Sequence, residues 1–137
     1  VKILTGAALS RLNTALVSTA QSGIQPSTEP IPESYRHYRS ALGKQLYGPG
    51  GYDIKREDKE GMEKARLRNY GFFGAPCGMV VYMDEGLAQV DVLSTGMWVQ
   101  SVCLLLAEQG IGTCVEASVA GYGEVSGAIS LIFLVYA

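Results

Sequence analysis

A single histidine, His37, and three cysteines, Cys77, Cys103 and Cys114, are all that the sequence offers toward a metal site. No two of these cysteines form a CxxC pair, whereas structural zinc needs about four such ligands with at least one close pair. No metal centre is expected. The odd cysteine count, with Cys103 inside an apolar helix, predicts buried thiols in a reducing compartment and so a cytoplasmic protein. Basic charge is also scarce. Lys and Arg number 11 against 13 Asp and Glu, a net charge of −2, and that balance argues against nucleic-acid binding through a basic surface. The one basic cluster, KARLR at 64–68, reads as a solvated helix face. No apolar run reaches the ~18–20 residues of a membrane span; 97–107 and 129–137 are the longest. No secretory signal is expected, because VKILTGAALS has no charged region leading into a long apolar one. Its first residue, Val rather than Met, is what a processed chain or a fragment would show.

What is present is a globular composition, 47% hydrophobic and 18% charged over 137 residues. That predicts one domain, 1–137, with a real core. Residues 1–4 read as the end of a strand. Thr5 is the expected hydroxyl cap of a helix over 6–21, whose apolar positions Ala8, Leu9, Leu12, Ala15, Leu16 and Ala20 have helical spacing. Three of the five prolines fall in IQPSTEPIPE at 24–33, a loop. Tyr35, Tyr38, Leu42 and Leu46 recur every three or four residues, which predicts a short helix over 34–47, broken by GPGG. Residues 55–69 read as a mostly exposed helix lying over something else. MVVYM at 79–83 reads as a buried strand. The most apolar helix follows at 92–109, capped by Asp91 or Ser94 and apolar nearly all round. A core or interface helix is expected there. Gly110 and Ile111 fit a Schellman ending. TCVEASV reads as a connection or strand, and 129–136 as another strand. The class is α+β.

The motifs are sparse. Cys77 lies in GFFGAPCG before a predicted strand, not at a helix N-terminus that would activate a thiol, and reads as a small residue at a strand entrance rather than a nucleophile. The glycines of YGPGGY and GFFGAPCG form neither GxGxxG nor GxxxxGK[ST], so a phosphate-cradling loop is not expected. Residues 51–58 lack the alternating oxygens of a calcium loop. Glu57/Asp58 and Asp84/Glu85 are adjacent, so their carboxylates diverge; exposed turns account for them better than acid–base catalysis. Trp98 with Met97, Leu104 and Leu105 could form a cofactor box, but such spacing more often marks core.

Three stretches carry a resemblance. KREDKEGMEKARLRNYGFFGAPCGMVVYMDEGL, LSTGMWVQSVCLLLAEQGIGTC and VKILTGAALSRL resemble segments of the nitroreductase family of flavoproteins, over about residues 1–122, the first two together being the more specific. The resemblance implies helices around a small mixed β-sheet, an obligate homodimer, and FMN bound at the dimer interface. It implies reduction of the flavin by NAD(P)H and of nitroaromatic or quinone-like acceptors by the flavin. The cofactor carries such chemistry, so no catalytic side chain need appear. By the same resemblance Val115, Glu116, Ala117 and Ser118 face the flavin ring through backbone groups. Val115 stands where the family often has Pro, and Ser94 where it often has Asp. Phe72, Phe73, Gly74, Ala75 and Pro76 match the family and read as packing around the strand.

The family's phosphate-gripping Arg-Ser-x-Arg segment, its Asn-Gln-Pro-Trp segment, its Gly-Tyr-x-Asp strand and a late Arg have no counterpart here. The chain thus resembles an incomplete nitroreductase fold, its central portion. A flavin phosphate without those arginines would lose charge-assisted hydrogen bonds of roughly 1.5–3 kcal/mol each. The alternative expectation is a catalytically impaired paralogue that serves as a dimerisation or binding module. A thiol-redox enzyme built on Cys77 ranks third.

Overall fold

The computed structural model describes residues 1–28, 30–84, 86–123 and 130–136, the last stretch by its backbone. Strand β1 (Lys2–Thr5) leads into helix α1 (Gly6–Gln21). Helices α2 (Arg36–Tyr47) and α3 (Lys59–Tyr70) follow, then β2 (Cys77–Tyr82), α4 (Gln89–Glu108), β3 (Gly112–Glu116) and β4 (Ser130–Tyr136). The four strands lie in the order β1-β2-β4-β3. All three described ladders are antiparallel, with Ile3 opposite Met79, Val80 opposite Ile132, and Val115 opposite Phe133. The α+β class stands, but the mixed sheet that the resemblance implied is not what the described residues form.

Strand β2 explains why its sequence is apolar without alternation. Successive side chains on a strand point to opposite faces, and here both faces carry helices. Val80 joins a core of Leu9, Leu16, Ala20, Tyr70, Phe72, Ala75, Val119 and Tyr122. Val81 meets Val99 of α4 on the other side, with Met79, Val102, Cys103 and Leu106 around them. Leu16 and Phe72 are fully buried, each contributing about 1.5–3 kcal/mol by leaving water.

Several local expectations are corrected. Thr5 holds the N-cap position of α1, but its hydroxyl makes no capping bond. Its backbone is committed to the sheet opposite Cys77, and Gly6 turns the corner at φ +49°. The cap of α3 was unforeseen: Asp58 Oδ1 accepts from Gly61 N–H at 2.8 Å. Helix α4 begins at Gln89 because the Asp91 carboxylate accepts from Ala88 N–H at 2.9 Å. Ser94 is no cap; its hydroxyl donates back to Val90 C=O at 3.0 Å. The Schellman ending is as expected, with Ile111 N–H on Leu106 C=O at 2.9 Å and Gly110 at φ +75°.

The GFFGAP turn holds a conformation that its residues do not advertise. Phe72, Phe73 and Gly74 have φ of 52°, 50° and 82°. The left-handed region costs a non-glycine residue about 1 kcal/mol. In return, Phe72 drops wholly into the core, and the Arg68 guanidinium lies 5.5 Å from the Phe73 ring. Gly78 lies close opposite it: an added Cβ would be a tight 3.0 Å from Phe72 Cε2 and 3.1 Å from Leu9 Cδ1.

Candidate functional site

The segment after α4 is built from a sheet edge. Among the described residues strand β3 pairs only with β4, so half of its backbone N–H and C=O groups face away from that sheet. Val115 is 45% exposed on this edge, while Glu116, at 7%, is the one buried charged residue among those described. The Glu116 carboxylate accepts from Ser118 N–H at 2.9 Å, bracing the turn through Ala117. Residues Ser118–Tyr122 then form a 3₁₀ turn in which Val119 is fully buried. The four sequence-predicted residues are therefore contiguous and ordered: Val115 and Ala117 outward, Glu116 inward, Ser118 half-buried.

This turn is pinned to the proline loop. Ser27 N–H donates to Gly121 C=O at 2.8 Å, and Tyr122 Oη donates to Ile24 C=O at 3.1 Å. Only glycine permits the approach at 121, since a Cβ there would lie 2.6 Å from Pro26 Cβ.

The cysteines divide by position. Cys77 and Cys103 are half-buried, but Cys114 is exposed on the β3 edge, correcting the expectation of buried thiols. Partial desolvation, and then the nearby Glu116 charge, push the Cys114 thiol up from its ordinary pKa, away from a reactive thiolate. Of the adjacent carboxylates, Asp58 is a cap and Asp84 accepts from Gly86 N–H at 2.9 Å. Glu85 lies outside the described residues.

Helix α4 departs most from its core reading. Met97, Leu104 and Leu105 are exposed and Trp98 is 44% exposed; only Val99 is buried. Trp98 lines a shallow depression of about 330 Å³ with Val1, Val81, Tyr82, Ser94 and Thr95. At 20 residues the helix is also long and apolar enough to cross a membrane by length and composition alone. The sequence expectation that no such run exists is corrected. Its earlier start, set by Asp91, supplies the missing turn.

With this architecture in place, residues 3–128 match the Nitroreductase family, and the chain belongs to that family. It is similar to the 4-nitrobenzoate reductase of Pseudomonas putida, 28% identical over 129 residues, covering 89% of this chain and 55% of the relative. It is similar as well to the chloronitrobenzene nitroreductase of Comamonas testosteroni, 30% identical, covering 82% of this chain and 52% of the relative. The chain spans about half the length of the curated relatives it matches. Among solved structures, the FMN- and NADPH-dependent nitroreductase NfnB from Sphigopyxis sp. strain HMH superposes with a TM-score of 0.82 at 25% identity, over 98% of this chain and 67% of that one. NfnB from Mycobacterium smegmatis, in complex with NADPH, shares the fold at a TM-score of 0.81 and 21% identity, over 99% of this chain and 67% of that one.

Proposed function

We propose that the protein carrying this chain is an FMN-dependent oxidoreductase that uses NAD(P)H to reduce nitroaromatic or quinone-like small molecules. The observation that carries this reading is the exposed, half-unpaired edge at Val115 in a chain of this family. A flavin ring has a polar edge and apolar faces, and an edge strand offers backbone donors and acceptors at fixed spacing. The residues present fit the ring: Val115 and Ala117 supply backbone and small side chains, and the Glu116–Ser118 hydrogen bond holds the turn in place. Bound there, FMN would take a hydride from NAD(P)H and pass reducing equivalents to the acceptor. The chain's own part is to orient the ring edge, from a turn anchored by the buried Val119. The similar proteins are named as reductases of 4-nitrobenzoate, nitrobenzene and chloronitrobenzene, which supports an enzyme over a dimerisation or binding module.

We also propose a homodimer formed through α4, whose exposed Leu93, Met97, Leu104 and Leu105 make an apolar face of the kind that obligate interfaces cover. This accounts for the helix without a membrane. A cytoplasmic location accords with three free cysteines.

The test is a visible spectrum of the purified protein with added FMN, followed by NADPH oxidation in the presence of 4-nitrobenzoate. Protein-bound flavin absorbance and acceptor-dependent oxidation are expected. Absence of both sinks the reading.

A further inference from the structure

A second concavity opens on the other side of Ser118. It encloses about 580 Å³ between the end of α1, the proline loop, α2, α3 and the turn after β3. Its lining brings together Arg39, Arg66, Tyr70, Tyr122, Thr28 and Ser118. This volume suits a small organic molecule.

The charges at this cleft are unequal. Arg66 is already neutralised: it holds Glu63 through two 2.7 Å contacts and donates to Ala20 C=O at 3.0 Å. Among the described residues no carboxylate pairs with Arg39, and none of the cleft's lining residues is acidic. The remaining polar groups include hydroxyls at Thr28 and Ser118. Burial is the largest cause raising the Tyr70 phenol above its ordinary pKa, and its side-chain hydrogen bond with Tyr122 also raises it, so the phenol stays protonated and engaged with its neighbour. The Tyr70 and Tyr122 rings sit 5.4 Å apart at 58°, an aromatic wall behind those donors. The walls are fixed rather than loose, because Tyr122, Ser27 and Arg66 each bond backbone across the cleft.

A concavity with one uncompensated guanidinium, neutral donors and an aromatic wall matches an aromatic ring bearing one carboxylate. The fork of Arg39 suits a carboxylate's two oxygens, and the tyrosine pair suits the ring's edge or face. We propose that this cleft is a binding site for small aromatic carboxylates, with Arg39 as the anion anchor. The cleft shares Ser118 with the segment assigned to the flavin, but Val115, Glu116 and Ala117 do not line it, and its binding needs no flavin.

The experiment titrates benzoate into the flavin-free chain by calorimetry, with benzamide as the neutral isostere. Benzoate is expected to bind with a dissociation constant in the ~1 mM range or better. Arg39→Gln and benzamide are each expected to weaken binding about 10-fold or more, the loss of a charge-assisted pair. Arg39 is exposed, so this substitution leaves the fold intact, checked by an unchanged melting curve. Thr28→Val tests the hydroxyl donor and is expected to weaken benzoate by a smaller factor. Inorganic phosphate is the ring-free anion and is expected not to displace benzoate at equal concentration. No benzoate binding, binding unaltered by Arg39→Gln, or equal binding of benzamide overturns the proposal, as does displacement by phosphate. Because no flavin is present, each of these outcomes leaves the redox reading untouched.

Discussion

Val80 and Val81 are neighbours on β2, both buried, and the two faces they occupy are covered unequally. On the Val80 face, α1, α3 and the GFFGAP turn close over the strand, and Leu16, Phe72 and Val119 are sealed. On the Val81 face lies α4, the most apolar helix of the chain, with only Val99 buried and Leu93, Met97, Leu104 and Leu105 open. Apolar sequence measures how much a helix gains by burial. It does not say whether the cover comes from its own chain or from another. If α4 pairs with a second copy as proposed, the two faces of β2 separate these cases, and substitutions on each should differ in kind.

The largest effect belongs to the sealed face. Phe72→Ala should cost about 3–5 kcal/mol of folding stability, from lost transfer and the cavity left beside Leu9 and Gly78. A shift in urea midpoint at unchanged slope would measure it. A loss under ~1 kcal/mol would mean that this face is as loosely covered as the α4 face. Gly78→Ala probes the same contact from the strand side. Its Cβ meets Phe72 and Leu9 at 3.0 and 3.1 Å, and overpacking there should cost about 1–3 kcal/mol. Next comes the edge of that layer: Asp58→Ala removes the cap on Gly61 N–H and should cost about 1 kcal/mol, read by the same urea curves.

Much of this layering was legible in the sequence, and the reasons are local. Leu9, Leu16 and Ala20 kept helical spacing, Met79-Val80-Val81 was continuous because both faces are covered there (Tyr82 is exposed and Met83 lies past the strand), and Gly110 and Ile111 marked their own Schellman turn. The left-handed turn at Phe72 and Phe73 was not legible, since no propensity favours two phenylalanines there; core packing imposes it. The start of α4 was placed late because Asp91 acts from the third helical position, not from the cap itself. As for the site, residues 115–118 were reached through family resemblance, and no local signal marks them. The Arg39–Tyr70–Tyr122 cleft was invisible because four separate stretches of chain build it. The one hint was the proline loop, whose partner Gly121 has no side chain to block it.

Acid should sharpen the contrast slightly. The hydrogen bond from Arg66 holds the Glu63 carboxyl below its ordinary value of 4.5. The folded state therefore binds fewer protons than the unfolded one in that window, and stability rises with pH there. The contribution is complete above pH 4.5 and is lost as pH falls through the lowered folded value. The side chains are 39% and 46% exposed, so screening keeps the effect below ~1 kcal/mol. Glu63→Gln should flatten this part of the pH–stability curve. An unchanged curve would mean that the pair contributes nothing.

The smallest effect on folding, and the most informative, belongs to α4. Leu105 is 63% exposed, so Leu105→Ser should change the stability of the isolated chain by less than ~0.5 kcal/mol. The same substitution should lower self-association, because a serine hydroxyl placed in a dry interface loses water without gaining a partner. Unfolding has to be measured across protein concentration, since an associated state stabilises itself by mass action. If the chain pairs through α4, the concentration dependence seen in the parent weakens in the variant, while the dilute-limit stability stays put. If Leu105→Ser instead costs ~2 kcal/mol at every concentration, the leucine packs within its own chain, and the two faces of β2 are not different in kind.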